Sequence, residues 1–193
     1  MKVGLFFGSF NPIHIGHLII ANSVVQLSDL QQVWFVVSPQ NPFKRKSNLL
    51  HEFDRFDMVR LAITDNANLN VSDIEFNLPR PSYTATTLAA LSDKYPKNTF
   101  KVIMGSDNLT HFHKWRNYKV ILEEYGVVVY PRPGSPLKSQ GFKDEYKNVQ
   151  LVEAPLMEIS ATLIRRLIKE GKSIRYLVPN EVAQHIHFKK LYR

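Results

Sequence analysis

Two histidines three residues apart, His14 and His17, flank Gly16 in the run GSFNPIHIGH, Gly8 to His17. On a helical turn both rings can face one side, and the glycine removes side-chain bulk between them. Such a pair can bind a metal, although no third protein ligand stands near it in the sequence. It can be ordinary packing. It can also present two hydrogen-bond donors to a triphosphate, which its setting favours. A second set lies in ISATLIRR, Ile159 to Arg166. Ser160 is a good N-cap type, Thr162 falls in the first turn, and Arg165 follows three residues on. Alone this is capping plus a solvated basic face. Beside the first set, hydroxyls and a guanidinium at a helix start form a second phosphate clamp.

The elements around these residues decide what they can meet. Lys2 to Phe7 is a short apolar run ended by Gly8, and predicts a buried strand. Gly16 to Leu27 predicts a helix whose apolar face is Leu18, Ile19, Ala21, Val24 and Val25. The first set therefore sits at a strand-to-helix turn, where free N–H groups and a positive dipole end suit a phosphate. Gly8 would let a phosphate or ribose approach the backbone, and Pro12 would stiffen the turn. Further strands are predicted at Val33 to Val37, Asn70 to Ser72, Phe100 to Met104, Gly126 to Tyr130 and Val149 to Val152. Helices are predicted at Glu52 to Thr64, Tyr83 to Leu91, Tyr118 to Glu124, Ser160 to Glu170 and Asn180 to Phe188, with polar loops at Pro39 to Asn48 and Pro131 to Gly141. In the helix from Glu52, the residues Phe53, Phe56, Val59, Ala62 and Ile63 recur at the spacing of a core-facing stripe. Strands alternate with helices and are continuously apolar. The expected fold is α/β, an open Rossmann-like parallel sheet with helices on both faces. Residues 1–193 read as one domain, with a small C-terminal helical part from about residue 159. Such sheets bind ligands beyond the carboxyl ends of their strands.

The bulk numbers exclude more than they assign. The absence of cysteine rules out structural disulfides, thiolate metal sites and a catalytic thiol. The apolar segment after Met1-Lys2 is too short for a signal peptide, and no run of about 18 apolar residues exists, so a cytoplasmic protein without membrane contact is expected. Formal net charge is +8. That charge suits a phosphate-rich partner or a plain solvated surface. The basic residues are scattered, without the aromatic interleaving that a nucleic-acid groove favours, so no nucleic-acid partner is expected.

GSFNPIHIGH resembles the signature of the H-x-G-H nucleotidyltransferase superfamily, and within it most resembles the nicotinate mononucleotide adenylyltransferases. ISATLIRR is similar to the superfamily's I-S-S-T-x-x-R, with Ala161 in place of the second serine. The resemblance runs over nearly the whole chain. Lys44 follows Pro42-Phe43 where the family tends to read P-P-H-K. PSYTATTL, Pro81 to Leu88, resembles P-S-Y-T. MGSDNL, Met104 to Leu109, resembles G-x-D-x-L. HKWRN, His113 to Asn117, carries the family tryptophan as Trp115, with Arg116 where a tyrosine is common. YPRPG, Tyr130 to Gly134, resembles R-P-G, and RYLVP, Arg175 to Pro179, matches a C-terminal segment.

The resemblance implies transfer of the adenylyl group of ATP to nicotinate mononucleotide, giving deamido-NAD and pyrophosphate. It implies His14, His17 and Arg165 as the catalytic groups. Gly8, Ser9, Phe10, Asp107, Arg132, Ser160 and Thr162 would bind ATP. Lys44, Thr84 and Trp115 would bind the mononucleotide. Magnesium would ride mainly on the ATP phosphates and water, with no protein metal ligands. The attacking group would be a phosphate oxygen, ionised at neutral pH, so no general base is required. The alternatives are a phosphopantetheine or other small-phosphate nucleotidyltransferase, or a non-catalytic nucleotide-binding sensor. Acid-versus-amide preference and assembly into a homo-oligomer are left open by the sequence.

Overall fold

The computed structural model describes residues 1–39, 49–135 and 148–193. Short apolar runs form strands β1 (Lys2–Gly8), β2 (Gln32–Val37), β3 (Leu69–Ser72), β4 (Thr99–Gly105), β5 (Val127–Tyr130) and β6 (Val149–Leu151). They make one sheet in the order β3-β2-β1-β4-β5-β6, and every pairing is parallel. The helices are α1 (Ile15–Leu27), α2 (Glu52–Ala62), α3 (Thr84–Lys94), the short α4 (Ser106–Leu109) and α5 (Tyr118–Val120), α6 (Ala161–Lys169) and α7 (Asn180–Phe188).

Successive strand residues point to opposite faces, so a strand covered on both sides must be apolar throughout. Phe6, Val33, Phe35, Val37, Ile103 and Val128 pack with α1, α2, α6 and α7 on one face. Val3, Leu5, Trp34, Val36, Val102 and Met104 pack on the other, beneath Leu88 and Leu91 of α3 and beneath Leu109, Phe112 and Ile121. The C-terminal helices thus share the core of the first face. Strand order reverses at β1, which has β2 on one side and β4 on the other. The crevice of such a sheet lies beyond the carboxyl ends of those strands, here Gly8 and Gly105.

Three details differ from the sequence expectation. The helix predicted over Tyr118 to Glu124 is one α turn followed by a π-helical stretch, Ile121–Tyr125. Gly126 N–H donates to the Ile121 carbonyl at 2.9 Å, and Gly126 then leaves the helix at φ +84°. A 3₁₀ turn, Ile74–Asn77, falls where no element is predicted. It is held by its buried Glu75, whose carboxylate accepts the hydroxyls of Ser82 and Thr87 at 2.9 and 2.8 Å. That fixes the start of α3. In α2 the apolar stripe is wrong at one end: Phe53 is exposed and Arg55 is fully buried. Arg55 donates to the carbonyls of Ser9 (2.6 Å), Ser38 (2.8 Å), Leu50 (2.9 Å) and Pro39 (3.3 Å). The carbonyls of Ser9, Ser38 and Pro39 lie where β1 and β2 leave the sheet, and that of Leu50 lies just before α2. A planar, five-donor guanidinium is the side chain that can satisfy all four. Burial pulls its pKa below the usual arginine value.

Candidate active site

The turn from β1 to α1 carries the first set. His14 is the N-cap of α1 and His17 lies in its first turn. Their rings stack with centroids 3.6 Å apart and planes at 21°. His17 also meets Phe6 and Phe10 edge-on, at 6.0 and 5.1 Å. The His14 backbone N–H donates to His17 Nδ1 at 3.3 Å. An accepting Nδ1 carries no proton, so the neutral ring bears its proton on Nε2 and can donate there. His14 Nδ1 is buried without a hydrogen-bond partner.

Both imidazoles are held uncharged. Burial lowers the His14 pKa from 6.5 to about 4, helped by the nearby Arg132 charge. The His17 pKa lies well below the usual value, through burial first, then His14 and Arg132. Gly16 is what lets the pair sit this way. A Cβ there would lie 3.1 Å from His14 Nδ1 and 3.3 Å from its Cε1, with Met157 on the other side at 3.6 Å. Gly8 also makes room for an aromatic ring. The space of its missing side chain is filled by the Phe10 ring, 2.7 Å from where a Cβ would stand. Phe10 is itself buried, at φ +43°, so its ring belongs to the floor under His17 and only its backbone is free to meet a ligand. Ser9 stands half-buried beside it, its carbonyl bound to Arg55.

The second set arrives from α6. Ser160 caps the helix, its Oγ accepting the Leu163 N–H at 3.2 Å. Arg165 donates through Nη1 to the Asn11 carbonyl (2.8 Å) and through Nη2 to Thr162 Oγ1 (3.2 Å). The guanidinium is therefore tied to the loop that leads into His14. Both hydroxyls act here as acceptors, and their own hydrogens are left to donate.

A third contribution comes from the end of β4. Ser106 Oγ donates to the Ser135 carbonyl at 2.6 Å and accepts the Arg132 N–H at 2.9 Å. This pins the Arg132–Ser135 turn against the sheet and sets Arg132 close enough to lower both histidine pKa values. Asp107 is exposed, with Oδ2 3.9 Å from Arg132 Nε. Gly105 leaves room for both, since a side chain there would strike Asp107 and Arg132.

Thr84 and Trp115 belong to the opposite face of the sheet. Thr84 opens α3, whose first amides have no side-chain cap. Trp115 is half-buried, edge-on to Phe112 at 5.5 Å. The two segments touch through Arg116, whose Cζ lies 4.8 Å above the Tyr83 ring. Lys44 lies outside the described residues. Sequence reasoning missed Asn11, Arg55, Ser106 and Tyr192, which hold the site residues in place. Tyr192 Oη donates to Asn11 Oδ1 at 2.9 Å across 181 positions of sequence. No local spacing signals such a contact.

Residues 5–167 match the cytidylyltransferase-like family. A protein of Cytophaga hutchinsonii designated probable nicotinate-nucleotide adenylyltransferase is 59% identical over 192 residues, covering 100% of this chain and 98% of its own. One of Flavobacterium johnsoniae with the same designation is 50% identical over 193 residues and covers all of both chains. The chain belongs to the nicotinate-nucleotide adenylyltransferases of the cytidylyltransferase-like family. The fold is shared with a solved Plasmodium falciparum nicotinic acid mononucleotide adenylyltransferase complexed with NaAD. Its TM-score is 0.80 at 17% identity, over 99% of this chain and 97% of that one.

Two outcomes follow from this geometry. Gly16→Ala should cut turnover about tenfold or more by pushing the His14 ring, while thermal unfolding shows no loss of stability. Alanine is favoured over glycine inside a helix by about 0.5–1 kcal/mol, which offsets the crowding. A variant that unfolds early, or one that turns over normally, would contradict this. The second outcome concerns acid. His14 has its pKa lowered in the folded state, so the unfolded chain binds protons first. Stability is intact above pH 6.5 and declines as pH falls toward 4. Urea midpoints measured from pH 7 to 4 should show this decline, and it should be shallower in His14→Asn.

Proposed function

We propose that the protein transfers the adenylyl group of ATP to nicotinate mononucleotide, forming deamido-NAD and pyrophosphate, as a cytoplasmic step of NAD biosynthesis. The observation that carries this reading is the stacked, uncharged His14–His17 pair, joined to Arg165 through the Asn11 carbonyl. Neutral N–H donors and a guanidinium converging from two helix starts suit a triphosphate. The names and full-length coverage of the relatives support the same reading.

In the reaction a phosphate oxygen of the mononucleotide attacks the α-phosphorus of ATP. The bond from that phosphorus to the α,β-bridging oxygen breaks, and pyrophosphate leaves with the electron pair. His14 and His17 would donate to the α- and β-phosphates as charge moves onto the bridging oxygen. Ser160, Thr162 and Arg165 would hold the β- and γ-phosphates, and Arg132 and Asp107 would face the adenosine. Alignment and charge stabilisation supply the catalysis. Magnesium, carried on the triphosphate oxygens and water, would screen their mutual repulsion. The protein groups that converge here are hydrogen-bond donors, which suits a metal held by its nucleotide. Among the described residues no cluster of three or more histidines and acids is available to ligate it.

The mononucleotide would lie across the sheet edge. Trp115 would stack on the pyridine ring, and the uncapped α3 amides around Thr84 would meet its carboxylate. Lys44 is assigned the mononucleotide phosphate on the resemblance alone. ATP thus approaches from the α1–α6 face and its acceptor from the α3 face.

Pyrophosphate release on mixing ATP with nicotinate mononucleotide, nicotinamide mononucleotide or phosphopantetheine tests the proposal. Release is expected chiefly with nicotinate mononucleotide, and preference for phosphopantetheine, or no release at all, would sink it. In the same assay His17→Ala should lower kcat by about 10²-fold or more, the scale of losing one transition-state donor. A folded variant with wild-type kcat would remove His17 from the mechanism. Trp115→Ala should weaken mononucleotide binding far more than ATP binding, and calorimetric titration with each ligand separates the two.

A further inference from the structure

We propose that Tyr192, the penultimate residue of the sequence, is a positioning residue for the triphosphate site, acting through Asn11 to aim the Arg165 guanidinium. The proposal rests on the reading of Arg165 given above.

Asn11 is a joint with two oxygens. Its side-chain Oδ1 accepts the Tyr192 hydroxyl at 2.9 Å and the Leu50 N–H at 3.4 Å. Its backbone carbonyl accepts Arg165 Nη1 at 2.8 Å. The direction of that carbonyl follows the setting of the Asn11 peptide, and the side chain of the same residue is what Tyr192 holds. His14 follows three residues later in the chain.

The tail is bent to make this contact. After α7 the backbone reverses, with Lys190 at φ +53° and Tyr192 at φ +65°. Two non-glycine residues in the left-handed region within three positions cost conformational energy, and they persist only where the surroundings impose them. The Tyr192 ring is buried among the core residues of the α1–α2 face. Packing alone would be served as well by phenylalanine. The hydroxyl is what bonds to Asn11, and burial holds its pKa far above the usual tyrosine range, so it stays protonated and able to donate.

Other anchors separate this role from general stability. Arg55 holds the loop at the Ser9 carbonyl through a hydrogen bond that does not involve the Tyr192 hydroxyl. Removing the hydroxyl should therefore leave the loop attached and the Asn11 peptide loosened.

The test uses the full chain. Tyr192→Phe should lower kcat for pyrophosphate release about tenfold, the scale of losing one hydrogen bond at a buried joint next to a catalytic contact. KM for nicotinate mononucleotide should stay within about twofold, because Thr84 and Trp115 lie on the other face. On an Arg165→Ala background the same change should cost less than about twofold, since coupled residues are not additive. Unchanged kcat in the single variant, or an equal tenfold loss on both backgrounds, would overturn the proposal. Asn11→Ala removes the same hydrogen bond from its other end, together with the longer one from the Leu50 N–H. It should cost at least as much, with Tyr192→Phe adding nothing to it, and it stands in if the tyrosine variant is insoluble. If wild type releases no pyrophosphate, the proposed function fails by itself. The positioning role is then decided by ATP titration, where Tyr192→Phe should weaken binding only while Arg165 is present.

Discussion

Two imidazoles stacked 3.6 Å apart cannot both carry a charge without strong repulsion, and most of this site follows from keeping them neutral. The floor beneath them is aromatic: Phe6, Phe10 and Phe35 form a mutually packed group that excludes water from the His17 ring. Gly8 makes room for Phe10, and Gly16 makes room for His14. Arg132 adds a positive field that opposes protonation further. The two glycines of the Gly8 to His17 segment thus serve one end from different sides, one below the rings and one beside them.

The cationic groups are held differently. Arg165 is oriented by a carbonyl and a hydroxyl, and among the described residues it forms no ion pair. Arg132 has its carboxylate neighbour at 3.9 Å, a loose pairing between partly exposed groups that is worth little. Guanidiniums aimed by uncharged acceptors keep their full field for an incoming anion. The net charge of +8 has its most specific expression here.

Much of this was legible in the chain. Continuous apolar runs marked strands buried on both faces, and turn residues marked their ends. The order β3-β2-β1-β4-β5-β6 was not legible, because strand neighbours are chosen by crossover packing that no local pattern encodes. Gly8 was readable as special, but its packing role was not, since the Phe10 ring that needs the space could not be placed. Periodicity put Phe53 inside and gave no place to Arg55. The structure reverses them because the deciding partners are four carbonyls from other segments. Tyr192 was invisible for the same cause, being a long-range contact made by one hydroxyl.

The hydrogen-bond pattern also bears on the kind of chemistry the site can perform. A neutral histidine keeps a lone pair that can take up a proton, although a lowered pKa makes it a weaker base, and here two are present. His17, however, already spends its free nitrogen on the His14 backbone N–H. What remains on the His17 ring is an N–H, which can donate and cannot abstract a proton. This disposition suits an acceptor that arrives ionised. A phosphate monoester at neutral pH is such an acceptor, whereas an alcohol or amine would need a base. The hydrogen bonding of His17 therefore agrees with the proposed transfer, in which that ring steadies a departing polyphosphate and the nucleophile brings its own charge.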